Sequence, residues 1–344
     1  MVPDPPAPTD LSAWSYDLPP DRIARFPTEA RDGARLMVLG RDRLDHRAVV
    51  DLPDLLAPGD LLVVNDTRVM AARLPGRRRT GARLEILALA PGPGPVPCMI
   101  RNARRLDEGE VIEVAGREAV LVRRLPDGLF EVDIPDLPTV MEEAGSLPLP
   151  PYLEREAGPA DAERYQTVFA GPLGAAAAPT AGLHFSPALL ARLEARGVEV
   201  ASVTLHVGIG TFRPLREEDV ERGELHPEPW TVPEATRDAV IRTRARGGRV
   251  IAVGTTSTRA LESATPEGSR VPDARSGTTR LFIHPGRPIR TVDGLFTNFH
   301  LPRSSLLMLV ATFLDRERLL HAYRTAVDEG YRFYSYGDAM LVLP

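Results

Sequence analysis

Four histidines in the second half of the chain sit inside runs of small, hydroxylated or aromatic residues. The runs are APTAGLHF (178–185), TLHVGIGTF (204–212), ELHPEPW (224–230) and TNFHLPRSS (297–305). Imidazole is the only side chain whose unperturbed pKa lies near neutrality, which suits it to giving and taking protons. Glycine and threonine beside it let backbone N–H groups and hydroxyls close on a ligand. With GTTSTR (254–259) and SYGDAM (335–340) interleaved, the runs read as the loops of one active site, with His184, His206 and His300 as candidate catalysts. His46, His284 and His321 lie on ordinary strand or helix patterns and read as structural.

What the composition excludes sharpens this. The chain has no lysine, so all 42 basic side chains are arginine, and a Schiff-base lysine, a pyridoxal phosphate anchor and a P-loop lysine are ruled out. A single cysteine, Cys98, cannot form a disulfide framework, and the seven histidines lack metal-ligand spacing, so a metal-free site is expected. No apolar run approaches a membrane span and no leader opens the chain, so a soluble cytosolic protein is expected.

The elements that must position these residues follow from pattern. Ala34–Leu39 and Asp60–Val64 are apolar runs between turn residues and predict buried strands. The second ends in the polar tetrad Asn65, Asp66, Thr67 and Arg68, at the carboxyl end of a strand, where open α/β sheets bind ligands. From Arg73 the character changes to short strands separated by Pro, Gly and Asp turns, which predicts a small barrel or sandwich. Beyond it, Ser186-Pro187 caps a helix that Gly197 stops, a strand follows over 198–207, and a second helix and strand cover 233–246 and 249–253. Such alternation predicts an α/β fold with a mostly parallel sheet. The domains are then a discontinuous α/β core over 1–72 and 157–344, interrupted by a β-barrel over 73–156. Gly254-Thr255-Thr256-Ser257 follows a predicted strand and opens a helix, a place that favours an anion.

Net charge is −5, yet Arg73–Arg124 holds eleven arginines against six acids. Arg77, Arg78 and Arg79, between Gly76 and Gly81, predict a basic turn able to lie along RNA phosphates.

The segments NDTRVMAARLPGRRRTG, APTAGLHFS, TLHVGIGTFRPL, GTTSTRALES, DGLFTNFHLPRSSLLMLV and YRFYSYGDAML resemble the S-adenosylmethionine:tRNA ribosyltransferase-isomerases of queuosine biosynthesis, in that family's order from Tyr16 to the C-terminus. The resemblance implies an α/β core with an inserted β-barrel, acting as a monomer. It implies that S-adenosylmethionine is consumed as a ribosyl donor, with no separate cofactor. The acceptor is the 7-aminomethyl-7-deazaguanine base at the tRNA wobble position. Under it, Asp66, Asp338, Tyr336 and Phe212 are candidate neighbours of the sulfonium, and Arg68, Arg259 or the helix start at Thr255, Thr256 and Ser257 candidate holders of the methionine carboxylate. Asn65, Thr67, Thr180, Gly182, Gly208, Gly210, Thr211, Asn298 and Phe299 complete the expected pocket, and His226 and Glu228 stand where the family carries a His and a Glu. The competing expectations are an S-adenosylmethionine-dependent tRNA methyltransferase and a non-catalytic tRNA-binding protein.

Overall fold

The apolar run 61–64 is a strand, and in the computed structural model it lies at the middle of a sheet covered on both faces. The structure describes residues 10–103, 106–208, 210 and 215–343. Strands β1 (Arg35–Leu39), β2 (Leu44–Ala48) and β3 (Leu61–Asn65) precede a two-residue strand β4 (Arg68–Val69) and the insert. After the insert come β11 (Leu173–Ala175), which pairs with β4, and β12 (Glu199–Leu205), β13 (Glu224–Val232), β14 (Val250–Val253), β15 (Arg275–Leu281), β16 (Gly294–Asn298) and β17 (Ala339–Val342). Nine strands form one sheet in the order β15-β13-β12-β3-β14-β16-β17-β1-β2. It is parallel at the centre, from β12 through β3 and β14 to β16, and again between β17 and β1. Antiparallel pairs join β16 to β17 and build both flanks.

Alternation along the strands decides which layer each side chain enters. Met37, Leu39, Leu61 and Val63 face a core shared with helices α6 (Glu234–Ala245), α7 (Gly254–Ala264), α8 (Ser305–Val310) and α9 (Arg316–Asp328). Leu36, Val38, Leu62 and Val64 face the other way, onto α1 (Leu52–Leu55) and α4 (Pro187–Ala195). Helix α4 starts as expected, with Ser186 accepting from the Leu189 N–H at 3.0 Å and Pro187 in the first turn. Short helices α3 (Asp161–Arg164) and α5 (Glu217–Arg222) lie in connections.

The insert is a closed six-strand barrel, ordered β10-β7-β6-β5-β8-β9. Its strands are β5 (Arg73–Arg78), β6 (Arg83–Ala88), β7 (Val96–Arg101), β8 (Val111–Val114), β9 (Arg117–Leu125) and β10 (Leu129–Asp133). Helix α2 (Leu137–Ala144) packs Leu137, Val140 and Met141 into the barrel core. Arg73 and Ser146 exchange backbone hydrogen bonds where the chain enters and leaves. Cys98 is buried in this core, and burial pushes its thiol up to about 12.

Two sequence readings change here. The predicted basic turn is mostly strand: β5 runs through Arg78, and the turn is Arg79–Gly81. Pro75 and Gly76 disguised it, since both are poor strand formers. Pro75 points outward, and Gly76 faces in because a Cβ there would lie 2.3 Å from Ile86 Cδ1. The ELHPEPW run is likewise a strand, β13, whose register shifts between Glu224 and Glu228 around Pro227.

Candidate active site

Strands β3, β12, β14 and β16 end along one edge of the sheet, and β17 begins there, with Asn298 opposite Ala339. Chain order leads from β3 to β12 on one side and later to β14 on the other, which opens a crevice at the end of β3. The tetrad at that end has divided roles. Asn65 is a clamp: its Nδ2 donates to the Leu205 carbonyl at 2.9 Å, and its Oδ1 accepts from the N–H groups of Leu205 and Thr67. This ties the end of β3 to the end of β12 and fixes the course of the chain beyond both. Asp66 accepts from the Thr204 hydroxyl at 2.7 Å and stays partly open to solvent. Arg68 is exposed.

Thr67 is wholly buried, and its hydroxyl lies 2.7 Å from His206 Nδ1. Gly174 brings β11 against the ring, where a Cβ would sit 2.8 Å from Cε1 and Nδ1. His206 is therefore wedged and oriented, while Nε2 makes no hydrogen bond among the described residues. Burial lowers its pKa from the ordinary histidine value, with Asp66 opposing the shift, so the ring is neutral at pH 7.

His184 ends the short turn Thr180–His184 across the same edge. Asn298 donates through Nδ2 to the Tyr334 carbonyl and to His184 Nε2, each at 3.1 Å, while its Oδ1 accepts from Thr180 at 3.1 Å. A carbonyl can only accept, so the amide orientation is set, and Nε2 of His184 must be the unprotonated nitrogen. The proton sits on Nδ1. His184 lines a narrow cleft with Pro27, Leu183, Ser335, Tyr336 and Gly337. Burial drops its pKa to about 4, against the pull of Asp338. Gly182, in the same turn, is buried against the Thr167 methyl group.

His300 differs from both. Its Nε2 meets the Thr297 hydroxyl at 2.9 Å, its backbone N–H donates to the Tyr323 hydroxyl, and its carbonyl accepts from Tyr16. Burial alone takes its pKa to about 3. The adjacent Phe299 is fully buried among Tyr323, Tyr331 and Phe333, at ring distances of 5.4, 5.3 and 5.0 Å. Phe299 is a core residue, and its placement puts no part of it in the crevice.

Helix α7 opens at the edge with Gly254 at φ +89°. Thr255 is buried, and the Thr256 hydroxyl is buried without a protein partner. Ser257 returns its hydroxyl to the Val253 carbonyl at 2.8 Å, so it serves its own helix. One turn on, Arg259 forms a buried ion pair with Glu228, and Glu228 accepts from the Gly208 N–H at 3.0 Å. The pair anchors the loop after β12. Gly210 is exposed in that loop, and Thr211 and Phe212 lie outside the described residues.

Tyr336 donates to Asp161 at 2.7 Å, and Asp161 is held at about 2 chiefly by Arg155, which makes two bonds to it. Asp338 accepts from the backbone N–H groups of Arg35 and Arg332 and from the Arg332 guanidinium. It pins the start of β1, which leaves Asp66 as the more open of the two candidate carboxylates. His226 faces the barrel, 3.8 Å from Asp127. In the barrel, Arg78 is held by two bonds to Glu110 at 2.7 and 2.9 Å, whereas Arg77 and Arg79 are exposed. Among the described residues, no group of three or more His, Cys, Asp or Glu side chains is placed to hold a metal ion, and no helix is long and apolar enough to cross a membrane.

Gly174 and Thr204 are parts of this site outside the sequence-derived set. Thr204 lies near the end of β12, two residues before His206, which is a signal in the sequence. Gly174 carried none, since only the approach of β11 makes it matter.

The two neutral histidines make stability depend on pH. The unfolded chain protonates them near 6.5 while the folded chain resists until about 4 for His184 and about 3 for His300. Between those values the unfolded state binds more protons, so stability is full above 6.5 and is lost as pH falls through this window. His184 alone contributes about 3 kcal/mol. Urea unfolding at pH 7 and pH 4.5 should show the loss, and a midpoint unchanged between them would refute it.

The crevice and its inserted barrel define a class: residues 11–342 match the family of queuosine biosynthesis proteins. The chain is 53% identical over 340 residues to the S-adenosylmethionine:tRNA ribosyltransferase-isomerase of Gloeobacter violaceus, covering 96% of this chain and 95% of that one. It is 50% identical over 347 residues to the enzyme of that name from Thermus thermophilus, covering 97% and 99%. A crystal structure of an S-adenosylmethionine tRNA ribosyltransferase from Thermotoga maritima matches with a TM-score of 0.57 at 36% identity, covering 96% of this chain and 100% of that one. The chain belongs to the S-adenosylmethionine:tRNA ribosyltransferase-isomerase family.

Proposed function

We propose that the protein transfers and isomerises the ribosyl portion of S-adenosylmethionine onto the aminomethyl group of a 7-deazaguanine base in tRNA, releasing adenine and methionine. The donor is consumed, and no separate cofactor enters. Two neutral histidines on one sheet edge, one half-exposed and one buried, within a family motif set, carry this reading. The sulfonium acidifies the C5′ hydrogens of the donor, so a base must take one of them. His206, half-exposed with Nε2 unpartnered, is that base when its Nδ1–H donates to Thr67. Adenine leaves more readily when a ring nitrogen accepts a hydrogen bond. His184, with its proton on Nδ1, is that donor in neutral form. Asp66 faces the sulfonium, and the start of α7 with Arg68 takes the methionine carboxylate.

Incubating the protein with S-adenosylmethionine and tRNA bearing the aminomethyl-deazaguanine base should release free adenine and methionine. Appearance of S-adenosylhomocysteine would instead make the protein a methyltransferase.

A further inference from the structure

A group of arginines lies away from the barrel turn, on the outer part of the sheet. Strands β13 and β15 and the last turn of α7 wall a groove of about 580 Å³. Five arginines line it: Arg222, Arg275, Arg280, Arg287 and Arg290. Two carboxylates share the wall, and one of them, Glu262, is buried and accepts from the backbone N–H groups of Arg290, Thr291 and Val292. Charge on the walls is therefore strongly positive in a chain whose net charge is −5.

Two of the five have acid partners, Arg222 in Asp219 and Arg290 in Glu262, and among the described residues the other three do not. Arg78, Arg155, Arg249 and Arg259 are each locked to a carboxylate. Arg275, Arg280 and Arg287 are exposed, and among the described residues none of them is paired with an acid. Arg275 lies over the Trp230 ring at 5.8 Å, which positions its guanidinium. Strand β15 pairs only with β13, so its outer edge adds unpaired backbone N–H groups beside the exposed Thr278. A wall of donors with few acceptors fits a row of phosphates.

Position links the groove to the crevice. Helix α7 begins at the crevice with Gly254 and reaches the groove at Glu262 and Ser263, a separation of about 13 Å at the rise of an α-helix. Arg259, between them, donates to the Leu281 carbonyl of the groove wall at 3.0 Å and to Glu228 on the crevice side. That distance corresponds to about four nucleotides along a helical strand. We infer that the groove between β13, β15 and the end of α7 is a track for the RNA phosphates that flank the base presented to the crevice. The inference rests on tRNA being the substrate.

The test is a salt series of tRNA binding by wild type and by the triple variant Arg275→Gln/Arg280→Gln/Arg287→Gln. Each lost phosphate contact should reduce the log–log salt slope by about 0.7 on single-stranded RNA and about 0.9 on duplex, so the triple variant should fall by about two to three. The loss in catalysis should appear in the KM for tRNA more than in kcat. The lysine triple variant, which keeps the charges, should recover most of the slope. The single variant Arg280→Gln, at an exposed and unpaired position, covers the case in which three changes disturb the edge strand, and its slope should fall by about 0.7 to 0.9. Adenine release by wild type tests the reaction separately. An active wild type with unchanged slopes in both Gln variants would overturn the track, leaving the arginines as guards of an open sheet edge.

Discussion

Replacing His206 by alanine is expected to lower turnover by roughly 10²-fold or more, with S-adenosylmethionine binding changed far less. The ring is held from three sides, by Thr67 at Nδ1, by Gly174 against its face and by the backbone bond from its own N–H to the Pro229 carbonyl. Such anchoring leaves Nε2 as the one polar atom free to act. Because burial lowers its pKa, the ring is already neutral at pH 7, and activity should be lost as pH falls through a value below 6.5. The acid limb of kcat/KM in the wild type should therefore lie below the ordinary histidine range and be absent or moved in Thr67→Val, where burial persists but the orienting bond is gone. His184→Ala should cost a comparable factor without shifting that limb, since a neutral donor does not titrate in the working range. Near-normal turnover in both alanine variants would return the two histidines to structural duty.

His300 does not share this expectation, although the sequence placed it in the same class. Its flanking residues, Asn298 and Phe299, look like ligand contacts when read along the chain, yet alternation on β16 and the turn after it send them to different places. Asn298 reaches His184, and Phe299 enters an aromatic core with Tyr323 and Tyr331. What was legible was the strand-end location, because continuous apolar runs at Leu61–Val64 and Val250–Val253 mark central strands and their polar sequels mark the crevice. The internal clamps were not legible. Asn65 and Asp338 were read as substrate contacts, and both hold backbone from elements 140 and 303 positions away. Long-range partners leave no local pattern. The same blindness hid β5 and β13, where prolines face the open side of a strand and so do not break it.

Breaking the Arg259–Glu228 pair should give the largest loss of stability in the core. Both side chains are under 10% exposed, and one guanidinium nitrogen of Arg259 has no acceptor, so the charge depends on Glu228. Removing one partner of a buried pair typically costs about 3–5 kcal/mol, because the other is left uncompensated in low dielectric. Glu228→Gln isolates that effect: the amide oxygen still accepts the Gly208 N–H while the charge is lost. It should unfold at markedly lower urea than wild type, with the loop after β12 still anchored. The double variant Glu228→Leu/Arg259→Met should regain much of the stability, since apolar replacement of a buried pair is often neutral or better. It nevertheless leaves the Gly208 N–H without its acceptor. Its KM for S-adenosylmethionine should therefore rise more than that of Glu228→Gln, despite the greater stability. A double variant as unstable as the single one would deny the charge argument. A stable double variant with wild-type KM would show that the pair holds the fold and leaves the loop after β12 to other contacts.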